Sequence, residues 1–235
     1  MSSEVDIIIF GAHPDDQEMA MGGTMIKFAE AGYKILSVSL TRSQMSTHGT
    51  VESREKEFKA AADYLGCDSL LMDFMDSEVE NTPAARKLIA RIIRERKPKI
   101  VFAPYHTNNL GDLGGIANVD HYATGSLVRD AVKMARLEKA VPDVEKHTVD
   151  KLYFYMLPRN VEPTLVVDVS DEIEKFKELL SSYQSQLEIK YQSNEIEHML
   201  LTWRAALGTQ IGVKFAEGFS VDMHLKMKPS TFFEV

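Results

Sequence analysis

The sequence predicts an α/β fold, in which helices cover both faces of one Rossmann-like, mostly parallel sheet. Short apolar runs rich in β-branched residues alternate with longer amphipathic segments along the chain. Most of these runs are apolar throughout, which is typical of strands buried on both faces of a parallel sheet. The length of 235 residues and the 44% of hydrophobic residues suit one large domain, and we expect it to span residues 1–235.

The predicted elements begin in the order βαβαβαβ. Pro83 suits a first helical turn, and Gly32 and Gly66 stand where helices stop. Beyond Gly208 we expect irregular structure that ends in short strands or a packed arm. The predicted strands are Asp6–Phe10, Ile35–Leu40, Leu70–Phe74, Ile100–Ala103, Leu152–Met156 and Leu165–Val169. The predicted helices are Glu18–Ala31, Glu52–Leu65, Pro83–Arg96, Tyr122–Ala140 and Asp171–Ile189.

Composition excludes several classes of protein. The net charge of −8 argues against general binding to nucleic acids or anionic membranes, which requires a basic face. A single cysteine, Cys67, rules out an intrachain disulfide framework. The N-terminus has neither a basic region nor an apolar run long enough for export or anchoring. We therefore expect a cytoplasmic protein.

The carboxyl ends of the predicted strands are the expected place for an active site. Right-handed crossovers bring these ends to one edge of the sheet, where ligands bind in such folds. His13 follows the first strand, and the aperiodic, glycine-bearing stretch Tyr105–Val119 follows the fourth. A long loop at this edge is more often functional than structural.

The stretch "AHPDDQE" places an imidazole and two carboxylates at this edge. His13 and Asp16 are three residues apart, so one turn can direct both at a single point, and both are ordinary zinc ligands. His121, at the start of a helix, can supply a third ligand, and Asp120 can orient an imidazole. Asp15 can then accept a proton from metal-bound water. The alternative is a surface turn that holds no metal.

Three stretches, "AHPDDQE", "RSQMSTHGTVESREKEFKAAADYLG" and "NVDHYATG", resemble the PIG-L/LmbE-like deacetylases. Members of this family are zinc-dependent and remove N-acetyl groups from glucosamine-containing substrates. The tail segments "YQSQ" and "KFAEGFSV" are similar to the branch that deacetylates N-acetylglucosaminyl malate in bacillithiol biosynthesis. The resemblance implies hydrolysis of the N-acetyl amide of a small amino sugar, and it suggests a trimer or hexamer.

The resemblance also implies roles for the residues of the first and third stretches. His13, Asp16 and His121 would bind Zn²⁺, although Fe²⁺ suits the same ligand set. Asp15 would be the general base. Glu18 matches the acidic residue that closes the first motif and would support its geometry.

Arginines near the same edge are candidates for binding substrate. Arg54 matches the family's arginine on the helix after the second strand, where it would contact sugar hydroxyls or an anionic group. Alternatively, Glu57 pairs with Arg54 on the helix surface, an interaction worth a few tenths of a kcal/mol. Arg42 is a second candidate partner for a malate-type aglycone.

One position departs from the family pattern. Many members carry His-x-Asp-His in the third stretch, but here the first of these positions is Asn118. Asparagine can donate a hydrogen bond to an oxyanion but cannot supply a proton at neutral pH. Asp15 would then protonate the leaving amine, or Tyr105 or His106 would replace the histidine. Two alternative functions stay open: an amidase that cleaves a larger N-acyl or thiol-conjugate amide, and a non-catalytic sugar-binding member of the family.

Overall fold

The protein is built around a parallel sheet, as expected from the sequence, and this sheet has five strands. A computed structural model describes residues 4–107, 118–191 and 194–222. The sheet has the strand order β3-β2-β1-β4-β5, and every neighbouring pair is parallel. This arrangement confirms the predicted α/β fold. Its strands are β1 (Ile7–Gly11), β2 (Ile35–Thr41), β3 (Asp68–Phe74), β4 (Ile100–Pro104) and β5 (Lys151–Tyr155).

Helices cover both faces of this sheet. Alternate side chains of β1 enter two separate cores: Ile7 and Ile9 pack in one, while Ile8 and Phe10 pack in the other. Pro83 lies in the first turn of its helix, and Gly66 ends another helix with a left-handed backbone, as predicted. The helices are α1 (Asp16–Glu30), α2 (Val51–Leu65), α3 (Pro83–Arg96), α4 (Val119–Ala135), α5 (Ile173–Leu180), α6 (Gln184–Leu187) and α7 (Ile196–Ile211). Among the described residues, none of these helices is long and apolar enough to cross a bilayer.

The last third of the chain differs most from the expected elements. The predicted sixth strand does not join the main sheet: β6 (Leu165–Asp168) pairs antiparallel with β9 (Ala216–Phe219). Only a short segment without a crossover helix separates β5 from β6, so β6 cannot lie parallel beside β5. A second small hairpin, β7 (Lys190–Tyr191) and β8 (Asn194–Glu195), precedes α7.

Two predicted helices are shorter than expected, and one helix was not predicted. The helix Tyr122–Ala140 ends at Ala135, and a short 3₁₀ turn, Glu138–Ala140, follows it. The helix Asp171–Ile189 is divided into a 3₁₀ turn at Ser170–Glu172, then α5 and α6. Helix α7 lies where we expected unassigned and irregular structure.

A bend in α1 depends on a carboxylate from β9. Met21 has a non-helical backbone, so the second half of α1 begins again at the two glycines that follow it. The N–H groups of Gly23 and Thr24 donate to the carboxylate of Glu217, at 3.0 and 2.8 Å. Arg204 of α7 pairs with the same carboxylate at 2.7 Å, and both side chains are buried. Glu217 therefore joins α1, α7 and β9.

Replacing Glu217 with alanine is expected to destabilise the protein by about 3–5 kcal/mol, because it leaves the Arg204 guanidinium buried without its partner. Urea unfolding followed by circular dichroism measures this loss. Glu52→Ala removes an ion pair whose side chains are 78% and 74% exposed, and it serves as the control with no measurable loss expected. An unfolding midpoint for Glu217→Ala equal to that of the control would contradict the structural role of Glu217.

Candidate active site

The predicted metal ligands and Asp15 lie at the carboxyl edge of the main sheet, around a cavity of about 720 Å³. His13, Asp15 and Asp16 follow β1, and His121 lies in the first turn of α4. Asp76, which the sequence did not indicate, follows β3 and also lines the cavity. The sheet thus brings residues more than 100 positions apart in the chain to one place.

The three predicted metal ligands have donor atoms within 3.8 Å of one another, which is close to the spacing that one ion requires. His121 Nε2 lies 3.1 Å from Asp16 Oδ1, and His13 Nδ1 lies 3.3 Å from His121 Nε2. The third distance, from His13 Nδ1 to Asp16 Oδ1, is 3.8 Å. A tetrahedral site with bonds of about 2.0–2.2 Å has neighbouring ligand atoms roughly 3.3–3.6 Å apart. The arrangement therefore fits a single metal ion.

Hydrogen bonds with the backbone fix Asp16 and leave one of its oxygens for a metal. Its Oδ2 accepts from the N–H groups of Ala12 and His13, at 2.7 and 3.0 Å. Its Oδ1 faces His121 instead. The two oxygens thus have separate roles, because one closes the turn after β1 and the other belongs to the ligand set.

Two further carboxylates hold the other ring nitrogen of His13. Its Nε2 lies 3.2 Å from Asp76 Oδ1 and 3.5 Å from Asp120 Oδ2. Backbone N–H groups fix both acids, since Met45 donates to Asp76 and Ser77 donates to Asp120. Metal-binding histidines commonly donate their second N–H to a carboxylate in this way. Asp120 thus contacts His13 rather than the neighbouring His121.

Sequence reasoning missed Asp76, although a signal was present. Asp76 is the second residue after β3, and β3 ends at the same sheet edge as β1. An acidic residue just beyond a strand of a parallel sheet is a candidate for the same reason that His13 is.

The pKa shifts of His13 and Asp16 indicate that the cluster stabilises a positive charge. Burial opposes charging of His13, but hydrogen bonds with Asp120, Asp16 and Asp76 outweigh it and raise the pKa of His13 to about 12. Burial alone would raise the pKa of Asp16, but His121 and His13 hold it well below its usual value. A cation bound here would relieve the repulsion among the carboxylates.

Asp15 is buried beside the ligand set and has a strained backbone. Its φ angle is 151°, a region that L-residues rarely adopt and that costs about 1–3 kcal/mol. Its Oδ2 lies 3.1 Å from Nη2 of Arg54, and the same nitrogen donates to the carbonyl of Pro14 at 2.6 Å. Burial raises the pKa of Asp15, and the charge of Arg54 opposes this rise. Arg54 therefore fixes the turn that carries Asp15.

The alternative of a surface pair between Arg54 and Glu57 is wrong, because both residues are largely buried. Their side chains are 2% and 11% exposed, and Nη1 of Arg54 lies 3.5 Å from Glu57 Oε2. Glu57 also accepts from the backbone N–H and the hydroxyl of Ser185, each at 2.7 Å. This contact attaches α6 to α2 beside the cavity.

Glu18 is fully buried at the base of the site. Its Oε2 accepts a hydrogen bond from the Tyr183 hydroxyl at 2.9 Å. Burial raises the pKa of Glu18 to about 7. Tyr183 lies between α5 and α6, so this bond ties the first motif to the distant part of the chain that encloses the cavity.

Backbone strain is concentrated around the cavity. Ser43, Ser77 and Met156 follow β2, β3 and β5, and each has a left-handed backbone with φ between 53° and 68°. Together with Asp15, they line the cavity. Strained residues of this kind cluster at active sites, where the surrounding structure stabilises them.

Asn118 forms the N-terminal cap of α4. Its Oδ1 accepts from the backbone N–H groups of Asp120 and His121, at 3.0 and 3.2 Å. Asparagine is among the best capping residues. The cap uses the oxygen and not Nδ2, and Asn118 lines the cavity next to His121.

Arg42 lies outside the cavity lining. It is paired with Glu55 and, at 2.6 Å, with Asp73. The structure thus gives no support to the expectation that Arg42 binds an anionic part of the substrate.

Tyr105 and His106 also lie outside the cavity lining. Their rings stack on each other, with centroids 4.9 Å apart. His106 Nε2 is 2.9 Å from Asp222, and its Nδ1 is 3.1 Å from Arg129. The described residues therefore do not place either side chain against the ligand set. The rest of the glycine-bearing stretch, 108–117, lies outside the described residues.

Several known proteins are similar to this chain. Diacetylchitobiose deacetylase from Thermococcus kodakarensis is 28% identical over 193 residues, which cover 77% of this chain and 69% of that protein. A probable N-acetyl-alpha-D-glucosaminyl L-malate deacetylase 2 from Bacillus anthracis is 27% identical over 208 residues, covering 81% and 85%. The crystal structure of the conserved protein TT1542 from Thermus thermophilus superposes with a TM-score of 0.83 at 30% identity, covering 96% of this chain and 98% of that one.

A family model also matches the chain. It is the model of PIG-L, GlcNAc-PI de-N-acetylase, and it matches residues 8–132. The matched segment contains nearly all of β1, all of β2 to β4 and most of α4, and so includes every residue of the ligand set. Since it makes up more than half of the chain, this protein belongs to the PIG-L family.

Proposed function

We propose that this protein is a zinc-dependent deacetylase that hydrolyses the N-acetyl amide of an N-acetylglucosamine-containing small molecule, releasing acetate and a free amine. The observation that carries the proposal is the spacing of His13 Nδ1, Asp16 Oδ1 and His121 Nε2, with the carboxylate of Asp15 beside them. Three protein ligands leave a position for water, which is typical of catalytic rather than structural zinc sites. Family membership and the similar deacetylases support the same reaction.

Each residue of the site has its own role in the proposed reaction. His13, Asp16 and His121 would hold the zinc, which supplies an acidified water and polarises the acetyl carbonyl. Asp15 would take the proton from the attacking water and return it to the leaving nitrogen. Arg54 keeps Asp15 oriented, and Nδ2 of Asn118 would donate to the carbonyl oxygen as negative charge develops there.

Two variants of Asn118 separate this hydrogen bond from the helix cap. Asn118→Ser keeps a capping oxygen but removes the amide, so we expect kcat to fall by about 10²-fold with stability retained. Asn118→Ala should lose the same activity and, in addition, about 1 kcal/mol of stability. Acetate release and thermal unfolding of both variants test this, and wild-type turnover by Asn118→Ser would refute the role of the amide.

An acetate-release assay coupled to metal analysis tests the proposed function as a whole. The protein should be purified without added metal, and its zinc and iron contents measured, because Fe²⁺ suits the same ligands. The substrates are N-acetylglucosaminyl malate, N,N′-diacetylchitobiose and analogues with larger N-acyl groups. Preference for the larger acyl groups would favour the amidase alternative. Absence of turnover with stoichiometric metal would favour the non-catalytic alternative.

Assembly, location and extent of the domain are also part of the proposal. We infer a single deacetylase domain over residues 1–235 that acts in the cytoplasm on small molecules and not on nucleic acids. The resemblance to the family supports a trimer or hexamer, and light scattering of the purified protein tests this. A monomer at micromolar concentration would contradict the assembly without affecting the catalytic proposal.

A further inference from the structure

The cavity has a second half that the proposed chemistry does not use. The ligand set and Asp15 lie at the sheet edge, within the segment that the family model matches. A second wall of the cavity comes from residues after this segment: the β5–β6 connection, the end of α6, α7 and β9. We call this wall the distal lobe. Because the family's catalytic segment does not supply it, the distal lobe is suited to determine which substrates enter.

One face of α7 gives the distal lobe its apolar character. The cavity-lining residues of this helix recur at intervals of three and four, which places them on one helical face. Leu157, Val161 and Pro163 of the β5–β6 connection continue the same apolar surface. The apolar residues of the α7 face are Ile196, Met199, Leu200, Trp203 and Leu207.

Most polar groups of the distal lobe are already engaged. Arg204 and Glu217 pair with each other, and Glu217 also caps the second half of α1. Nε2 of Gln186 donates to the carbonyl of His48 at 3.1 Å. Among the described residues, Arg159 is the remaining lining cation without a carboxylate partner, and it is exposed. The lobe therefore offers few partners to buried polar groups of a ligand.

This composition is poorly matched to the polar aglycones of the similar enzymes. A second sugar ring would bury several hydroxyls against aliphatic side chains, and each unpaired hydroxyl weakens binding. A malate group carries two carboxylates, whereas Arg159 offers only one exposed guanidinium, and Arg54 and Arg204 are held by carboxylates of the protein. An alkyl or aryl group would instead find a preformed apolar surface.

We propose that the distal lobe binds an apolar aglycone, alkyl or aryl, carried by the amino sugar whose N-acetyl group is hydrolysed. The inference rests on the proposed function for the position of the sugar, which must place its acetamide at the ligand set. It extends that function by naming the substrate class: glycosides of N-acetylglucosamine with an apolar group rather than a second sugar or a dicarboxylate.

A binding experiment that needs no hydrolysis tests the lobe directly. Trp203 is the single tryptophan of the chain and is 37% exposed, so its fluorescence reports on this wall. Octyl β-D-glucoside, kept below its micelle concentration, should shift the emission to the blue with saturation, whereas methyl β-D-glucoside should not. Leu207→Ala should weaken octyl glucoside binding about fivefold to tenfold. Ile211→Ala, on the same helix but outside the lobe, is the matched control and should leave the affinity unchanged.

Kinetics then identifies the part of the substrate that occupies the lobe. Across methyl, butyl and octyl glycosides of N-acetylglucosamine, kcat/KM for acetate release should rise about fourfold per buried methylene. The increase in kcat/KM from the methyl to the octyl glycoside should be smaller in Leu207→Ala than in Ile211→Ala.

Each contrary result points to a different error. No saturable fluorescence shift with octyl glucoside would overturn the apolar lobe itself. A gain from lengthening the N-acyl chain, with none from lengthening the aglycone, would overturn the assignment of the occupant. A fluorescence shift without acetate release from any glycoside would support the lobe and count against the proposed deacetylase function.

Discussion

Replacing Asp15 with asparagine is expected to lower kcat by about 10²–10⁴-fold while the protein stays folded and retains its metal. Asparagine has nearly the same size and shape as aspartate, but it cannot accept a proton from water. The ligand atoms belong to His13, Asp16 and His121, so the substitution leaves all three in place. The effect should therefore fall on the proton transfer.

The measurement is acetate release together with the metal content and the thermal unfolding temperature of the same preparation. Asp63→Asn, on the exposed side of α2, is a control that removes a carboxylate far from the cavity. Turnover of Asp15→Asn near the wild-type value, with metal bound, would remove the general base from the mechanism. Loss of metal in this variant would show that Asp15 acts as a ligand instead.

Replacing His121 with alanine is expected to weaken metal binding by more than about 100-fold and to reduce hydrolysis to background. The substitution removes one of three donor atoms, whereas loss of an outer carboxylate commonly costs about 10–100-fold in affinity. His121 is a better choice than Asp16, because Asp16 also accepts the backbone N–H groups of Ala12 and His13. Loss of the Asp16 side chain would affect both metal binding and the folding of the turn, so the two effects could not be told apart.

A graded comparison makes this prediction specific. Asp76→Asn removes the charge that holds His13 Nε2, so its metal affinity should fall between those of the wild type and His121→Ala. His198→Ala removes an exposed histidine of α7 and should change nothing. Metal content after equilibration with a series of chelator concentrations provides the ranking. Full metal binding by His121→Ala would contradict the proposed ligand set.

Helix α7, which was not predicted, shows how local sequence patterns can fail to indicate a helix. Among the described residues, no side chain caps the N-terminus of α7, and Gly208 interrupts its helical composition. That glycine is required by packing, since a Cβ there would lie 2.8 Å from the carbonyl oxygen of Val213. A pattern typical of helix starts, Asn194 with Glu197 three residues later, stands one residue before the observed cap position, and a residue typical of helix ends lies inside the helix.

The prediction of one continuous helix over Asp171–Ile189 was wrong for a related reason. Its apolar periodicity is real, and α5 buries Ile173, Phe176 and Leu179 as that pattern requires. The break after α5 accommodates Tyr183, which is fully buried and donates to Glu18 more than 160 residues earlier. The local spacing of residues does not indicate a contact between residues so far apart in the chain.

The sequence alone was enough to predict the parallel sheet, because its central strands carry runs of apolar residues that suit burial on both faces, and such a run is a local property of the sequence. It also indicated His13, Asp16 and His121, since strand ends in such a sheet meet at one edge. Only the tertiary structure decided that Asp76 and Asp120 hold His13, that Arg54 turns inward to Asp15, and that α7 forms the distal lobe. These contacts depend on the positions of elements that are far apart in the chain, and no local pattern encodes those positions.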